Sequence, residues 1–182
     1  DSNCNLYIDA VNAIPMRSVF ELSGNVVSKY EGKLHFYSYD GALVRETSIP
    51  IVLDGPYDAR DIVVLDDGRV AVYNGVFQPV LSIYTPSENK WESIAAPAWS
   101  TVNNGTYGGI DAIGNKVFVT NMSTSGSSTS GIVQFDLDDS SVSYVEGAEL
   151  IDLTVGYDGY VYGLTGASVY KYEASTLEVI DT

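Results

Sequence analysis

Four short stretches decide how this chain folds: Leu22-Ser23-Gly24-Asn25-Val26, Asp66-Asp67-Gly68-Arg69-Val70, Ile113-Gly114-Asn115-Lys116-Val117 and Tyr157-Asp158-Gly159-Tyr160-Val161. Each is a tight turn of small or polar residues running into an apolar strand. Gly and Asn stand where a hairpin turn needs a positive φ. The anchoring valines Val26, Val70, Val117 and Val161 are separated by 44, 47 and 44 residues, a regularity that chance turns do not produce. A fixed period in this range marks a repeat architecture.

Outward from each anchor the same order of four strands can be read. The first unit has Ser18–Leu22, Asn25–Lys29, Lys33–Tyr37 and Leu43–Ser48, and the second Asp61–Leu65, Arg69–Tyr73, Val80–Tyr84 and Lys90–Ile94. The third has Gly109–Ala112, Lys116–Thr120, Ile132–Phe135 and Ser141–Val145, and the fourth Asp152–Val155, Tyr160–Leu164, Ser168–Tyr172 and Leu177–Ile180. No stretch shows sustained helical periodicity. Short strands joined by short turns make twisted antiparallel meanders. A four-stranded meander recurring at this period is the signature of β-propeller blades. The expected fold is all-β: a single β-propeller domain over residues 1–182, with four blades of four antiparallel strands at approximately 16–50, 59–97, 107–147 and 150–182.

Residues 1–15 add a closing outer strand to this scheme. Asn12-Ala13-Ile14-Pro15 resembles the fourth-strand exits Thr47-Ser48-Ile49-Pro50 and Ile94-Ala95-Ala96-Pro97. The fourth blade already has an outer strand at Leu177–Ile180, so one strand is surplus for a closed ring of four. Either that blade takes a fifth strand or the ring continues with further blades, and both readings stay open.

The segment Leu81-Ser82-Ile83-Tyr84-Thr85-Pro86-Ser87-Glu88-Asn89-Lys90-Trp91 resembles the third-strand, turn, fourth-strand portion of Kelch-type repeats. That resemblance implies a Tyr and a Trp that bracket a polar turn and pack between neighbouring blades. Phe135-Asp136-Leu137-Asp138 and Tyr172-Glu173-Ala174-Ser175 repeat the segment more loosely, while Gly108-Gly109 lies before the turn where Kelch repeats place paired glycines after it. The chain is read as a Kelch-like or otherwise divergent propeller.

Composition narrows the function. With 24 acidic and 9 basic residues the formal net charge is −15, which argues against nucleic acid, where basic patches supply most of the affinity, and against anionic membrane surfaces. The single cysteine, Cys4, cannot form an internal disulfide or a cysteine-based zinc site. No apolar run reaches the length of a membrane span and no signal peptide is recognisable, so no membrane insertion is expected. The start at Asp1 without Met suggests a processed or trimmed terminus. Few lysines with abundant Ser, Thr, Gly and 14 Tyr fit an exported protein, secreted or at the cell surface.

Candidate chemistry is sparse. His35 is the sole histidine and sits between Leu34 and Phe36 in a strand, where alternation turns it to the opposite face. Asp136-Leu137-Asp138-Asp139-Ser140 opens like a calcium loop, but Ser141 and Gly147 stand where that loop needs Gly and Glu, leaving an acidic turn. Asp54, Asp58 and Asp61 surround Gly55-Pro56 in ordinary turn chemistry. Asp61 and Asp152 occupy matching positions at the start of an inner strand. They are the candidate metal ligands, for calcium or another divalent cation in the channel, as resemblance to four-bladed hemopexin-type propellers implies. The competing reading is a cap on backbone N–H groups between blades. Arg17 and Gly108 stand nearest to that position in the first and third blades.

Ser123–Gly131 reads as a low-complexity loop excursion. Asn104-Gly105-Thr106 and Asn121-Met122-Ser123 fit the glycosylation pattern. Tyr107, Tyr157, Tyr160, Tyr162, Tyr170 and Tyr172 give the last two blades aromatics suited to sugar or peptide contact, about half of them expected between blades. The leading expectation is a non-catalytic binding or scaffold propeller with a protein or carbohydrate partner. The alternative is a metal-assisted hydrolase or lyase using channel-facing carboxylates. A third reading is a structural spacer in an adhesin-like chain. No catalytic residue is assigned.

Overall fold

The structure is a computed structural model that describes residues 19–22, 25–30, 32–50, 59–74, 80–96, 109–121 and 130–182. The expected strand at 1–15, together with Cys4, Arg17, Asp54, Asp58, the Asn104 site, Tyr107, Gly108 and most of Ser123–Gly131, lies outside the described residues.

The described residues form four sheets of four antiparallel strands, each in sequence order. Blade 1 comprises β1 (Val19–Leu22), β2 (Asn25–Tyr30), β3 (Lys33–Ser38) and β4 (Leu43–Ser48). Blade 2 comprises β5 (Ala59–Val64), β6 (Val70–Asn74), β7 (Val80–Thr85) and β8 (Lys90–Ala95). Blade 3 has β9 (Ile110–Ile113), β10 (Lys116–Asn121), β11 (Gly131–Asp136) and β12 (Val142–Glu146). Blade 4 has β13 (Asp152–Val155), β14 (Val161–Leu164), β15 (Val169–Tyr172) and β16 (Val179–Asp181).

Register repeats as faithfully as the turns do. Each anchor valine lies opposite an aromatic on the third strand: Val26 opposite Tyr37, Val70 opposite Tyr84, Val117 opposite Phe135 and Val161 opposite Tyr172. Because paired residues share a face, this fixes one side of each blade as the side that meets the preceding blade. Tyr84, Phe135 and Tyr172 are all buried there. The inner strands pack in succession, β1 on β5, β5 on β9 and β9 on β13.

Three cores result, one per junction. Between blades 1 and 2, Leu34 and Phe36 meet Ile62, Val70, Val72 and Tyr84. Trp91 lies beside Tyr84 with ring centroids 5.0 Å apart and donates its Nε1–H to Thr47 Oγ1 of blade 1 at 3.1 Å. The Tyr and Trp that bracket the polar turn therefore do pack between blades. Arg45 reaches across the same junction to the Pro86 carbonyl at 2.7 Å. The junction of blades 2 and 3 is apolar, with Val63, Ala71, Tyr73, Leu81 and Ile83 against Val117, Val119, Val133 and Phe135. Blades 3 and 4 meet through Phe118, Ile132, Leu150, Leu153, Val161 and Tyr172.

Turn geometry explains the recurring small residues. Gly68, Gly114 and Gly159 have positive φ (85°, 56° and 81°) in the turn after the first strand of blades 2 to 4. The turn after the third strand also places one residue in the left-handed region: Gly41, Asn89, Ser140 and Leu177. Leu177 was expected to begin the last strand. Instead it closes that turn, its N–H donating to the Glu173 carbonyl at 2.7 Å and its side chain buried at the junction with blade 3. The outer strand consequently starts at Val179.

Candidate functional site

The inner strands carry the matched aspartates. Asp61 lies on β5 opposite Tyr73, and Asp152 on β13 opposite Leu164, so the two hold the same register position in blades 2 and 4. Asp61 Oδ1 accepts the Ile62 N–H at 2.9 Å, and Asp152 Oδ1 accepts the Leu153 N–H at 2.9 Å. Blade 3 has Gly109 at that position: its carbonyl accepts the Thr120 N–H at 3.0 Å and its N–H donates to Thr120 Oγ1 at 2.9 Å. A Cβ on Gly109 would overlap the Asp152 carboxylate and the Leu153 N–H, so Asp152 is seated against the backbone of blade 3. Asp61 and Asp152 lie in blades 2 and 4, with blade 3 between those two in the succession of packed inner strands. Among the described residues no group of three or more His, Cys, Asp or Glu side chains is placed to hold a metal ion.

A third inner-strand aspartate, Asp111, bonds across to the next blade. Its Oδ1 accepts the Ala112 N–H at 2.8 Å, while its Oδ2 accepts both the Thr154 hydroxyl at 2.9 Å and the Val155 N–H at 2.7 Å in the next blade. Sequence reading passed over it. The available signal was one carboxylate inside the otherwise apolar stretch Ile110-Asp111-Ala112-Ile113, where a half-buried charge needs donors.

The turns after the first and third strands fall on one rim of an antiparallel meander, and that rim concentrates the acidic residues. Each of Asp40, Asp67, Asp136, Asp139 and Asp158 accepts a backbone N–H two residues on, from Ala42, Arg69, Asp138, Ser141 and Tyr160 respectively. This is the geometry in which Asp stabilises a turn by imitating a backbone bond. Hydrogen bonds from Ser38 and the Ala42 N–H hold the Asp40 carboxyl below its ordinary range, and those from Ser141 do the same for Asp139. The calcium-loop-like Asp136–Ser140 segment is such a turn, with Asp138 also accepting from Asn115 Nδ2 at 2.7 Å. Arg69 ties this rim across blades 2 and 3 by donating to Asn115 Oδ1 at 3.1 Å.

Blade 4 carries a polar cluster around Asp158. Asp158 Oδ2 accepts the Tyr162 hydroxyl at 2.7 Å and Lys171 Nζ at 3.0 Å, and the ammonium lies 3.9 Å above the centre of the Tyr160 ring. Tyr162 and then Lys171 lower the Asp158 pKa, while Tyr162 and then Asp158 raise that of Lys171. Of the six tyrosines expected to split about evenly between surface and interior, five are described, and Tyr160, Tyr162 and Tyr170 are only partly buried. Tyr172 is buried, with its pKa raised by that burial, and Tyr170 stacks on it at 6.2 Å, whereas Tyr157 projects fully from the β13–β14 turn. His35 lies on the face of blade 1 opposite Leu34 and Phe36, with Nε2 3.7 Å from Glu46 Oε2. Lys33 also contacts that carboxylate, at 2.8 Å.

No family model and no curated protein matches the chain. Solved structures do. The extracellular domain of the putative one component system BT4673 from B. thetaiotaomicron is 15% identical with a TM-score of 0.59, over 90% of this chain and 22% of that one. A protein of unknown function from Bacteroides caccae is 10% identical with a TM-score of 0.61, over 87% of this chain and 56% of its own. The Neurospora crassa Pan2 WD40 domain is 11% identical with a TM-score of 0.55, over 86% of this chain and 49% of its own. The chain thus spans about half or less of the solved structures it matches. At such identities the likeness speaks to fold, and the fold is that of four consecutive β-propeller blades.

Proposed function

We propose that this chain is a non-catalytic binding or scaffold propeller within an exported or cell-surface protein, its partner a protein or a carbohydrate. The observation that carries the reading is the employment of its carboxylates. Asp61, Asp111 and Asp152 on the inner strands, and Asp40, Asp67, Asp136, Asp139 and Asp158 on the rim, all accept backbone N–H groups. Side chains so engaged hold turns and junctions in shape, which is the work of a scaffold. Catalysis by channel carboxylates would instead need several converging on one point.

The extracellular reading is supported by the match to an extracellular domain. No helix among the described residues is long and apolar enough to cross a membrane. The Tyr84–Trp91 packing supports a Kelch-like ancestry for blade 2. Tyr157, fully exposed at a turn, is the aromatic most open to a partner among the described residues.

The test pairs a binding screen with an activity screen. Immobilised peptides and oligosaccharides are probed with the wild-type chain and with Tyr157→Ala, and hydrolase and lyase substrates are assayed with calcium, magnesium or zinc. The expected result is a retained ligand whose binding Tyr157→Ala weakens, and turnover at background level. Turnover that needs a divalent cation and disappears in Asp61→Asn or Asp152→Asn would overturn the proposal.

A further inference from the structure

The outer edge of every junction is built from the same register positions, and at one of them a side chain is missing. One blade brings its third-strand aromatic: Tyr84, Phe135 or Tyr172. The preceding blade brings the third-strand residue just before its own aromatic, which is Phe36, Ile83 or Gln134. With it comes the fourth-strand residue paired to it, which is Arg45, Glu92 or Ser143. Paired residues share a face, so both lie on the side that meets the incoming aromatic.

At the junction of blades 1 and 2 the set is complete. Phe36 packs on Tyr84 with ring centroids 5.8 Å apart. Arg45 donates to the Tyr84 hydroxyl at 3.3 Å and to the Pro86 carbonyl at 2.7 Å, and that hydroxyl donates in turn to Asn89 Oδ1 at 2.8 Å. Trp91, opposite Tyr84 on the fourth strand, closes the edge. At the junction of blades 2 and 3 the corresponding pair is apolar, since Phe135 carries no hydroxyl and faces Ile83.

The junction of blades 3 and 4 has the polar groups without the side chains that would satisfy them. Tyr172 again presents a hydroxyl, but Leu177 holds the left-handed turn position of Asn89, Ser143 stands in the place of Arg45 and Val179 in that of Trp91. Gln134, in the place of Phe36, adds an amide. Tyr172 is 3% and Gln134 8% exposed, and neither polar group has a hydrogen-bond partner among the described residues. Such groups cost free energy until something pairs with them. The edge is also open: Ser143 is exposed, and Val179, 54% exposed, covers less than Trp91 does in blade 2. This site lies between two described blades and not on an outer flank.

Charge favours a cation there. Where blades 1 and 2 have Ser38, Thr85 and Lys90, blades 3 and 4 have Asp136, Glu173 and Glu178. A guanidinium is planar, always charged and carries five N–H donors, so it can engage a phenolic oxygen, an amide oxygen and a turn carbonyl together. Arg45 shows how such a group sits over this register.

We infer that the outer edge of the junction between blades 3 and 4 is a socket for an arginine side chain of a protein partner. Its acceptors are the Tyr172 hydroxyl, the Gln134 side-chain oxygen and the carbonyl of Ala174, which follows Tyr172 by two residues as Pro86 follows Tyr84. The inference rests on the binding reading proposed above and narrows its protein partner to one that presents an arginine, at a site other than Tyr157.

The probe is the capped tripeptide Gly-Arg-Gly, titrated into the isotope-labelled chain and followed by amide chemical shifts, with Gly-Lys-Gly and Gly-citrulline-Gly as controls. Gly-Arg-Gly should shift the Gln134 side-chain amide and the Ser143 and Ala174 backbone amides at millimolar concentration, and the controls should not. Tyr172→Phe should weaken binding about tenfold, the worth of one hydrogen bond from a charged donor. Ser143→Arg should fill the socket from within, abolishing tripeptide binding and raising the melting temperature, whereas Glu92→Arg, over Phe135, should do neither. Should Tyr172→Phe fail to fold, Ser143→Arg decides the matter alone. Equal responses to the arginine and lysine peptides, or binding that Ser143→Arg leaves intact, overturn the inference. So does the absence of any response to Gly-Arg-Gly; a ligand still retained through Tyr157 would then leave the binding reading standing while the socket falls.

Discussion

The junction of blades 2 and 3 and the open flank of blade 4 are the same surface in two circumstances. At the junction, Tyr73, Leu81, Ala71 and Ile83 are buried against the valines and Phe135 of blade 3. On the flank, the corresponding residues are Leu164, Val169, Tyr162 and Lys171, and the last two join Asp158 in a hydrogen-bonded cluster. The pair Tyr73 and Leu81 stays apolar on the flank as Leu164 and Val169, while the pair Ala71 and Ile83 becomes a hydroxyl and an ammonium, Tyr162 and Lys171. Position in the repeat thus decides which face is apolar, while what covers that face decides which of its residues can be charged.

The sharpest way to break the comparison is to truncate equivalent side chains. Phe118 is fully buried at the junction of blades 3 and 4, and Phe118→Ala should destabilise the fold by about 3–5 kcal/mol through lost burial and a residual cavity. Tyr162, at the same register on the flank, is partly exposed, and Tyr162→Ala should cost about 1 kcal/mol or less. Urea denaturation measures both. Equal losses would mean that the flank is as tightly covered as the junction.

Glycines give the next largest contrast. A Cβ on Gly131 would run into the Val145 carbonyl of the adjacent strand, which cannot move without opening the sheet, so Gly131→Ala should cost about 1–3 kcal/mol. Gly166, in the β14–β15 turn of blade 4, faces open space, and Gly166→Ala should leave the melting temperature within error or raise it slightly. Smaller again is the polar tie of the third junction. Asp111→Ala removes the acceptor of the Thr154 hydroxyl and the Val155 N–H and should lower stability by about 0.5–1.5 kcal/mol. A double-mutant cycle with Thr154→Ala should return a coupling energy, since both changes remove one bond.

How much of this was legible beforehand depends on the range of the interaction concerned. The turns at Gly68, Gly114 and Gly159 could be read because backbone sterics act within two or three residues. The strands at Leu43–Ser48 and Asp152–Val155 were readable to the residue for the same reason. Leu177 was not, because a bulky residue in the left-handed region is held there by its burial against blade 3, which no local pattern contains. Asp111 was invisible in its role since its donors lie 43 and 44 residues away. The expected candidates Asp61 and Asp152 were correctly matched to each other by position, yet the seating of Asp152 depended on Gly109, one blade over, and on the backbone beside it. Leu164 and Val169 look like core residues in sequence, since alternation reports a face and not whether anything lies against it.

The smallest expected effect separates the two surfaces by pH. Tyr172 at the junction and Lys171 on the flank are neighbours in β15, and both have raised pKa values, the first through burial and the second through Tyr162 and Asp158. A group whose pKa is raised on folding adds stability that is complete below its unfolded value and is lost as pH rises through its folded value. Unfolded tyrosine and lysine titrate near 10 and 10.5, so both contributions should be present at neutral pH and fade only above about pH 10. Asp158 has a lowered pKa, so its share is present above about pH 4 and is lost as pH falls through the folded value. Stability measured in denaturant from pH 2 to 12 should therefore show a plateau bounded by an acid and an alkaline limb. Lys171→Met should shrink both limbs, because it removes the lysine titration and one of the Asp158 partners, whereas Tyr172→Phe should shrink the alkaline limb alone. An acid limb unchanged by Lys171→Met would show that the flank cluster adds nothing to stability and that its ionic contacts are surface decoration beside the junction.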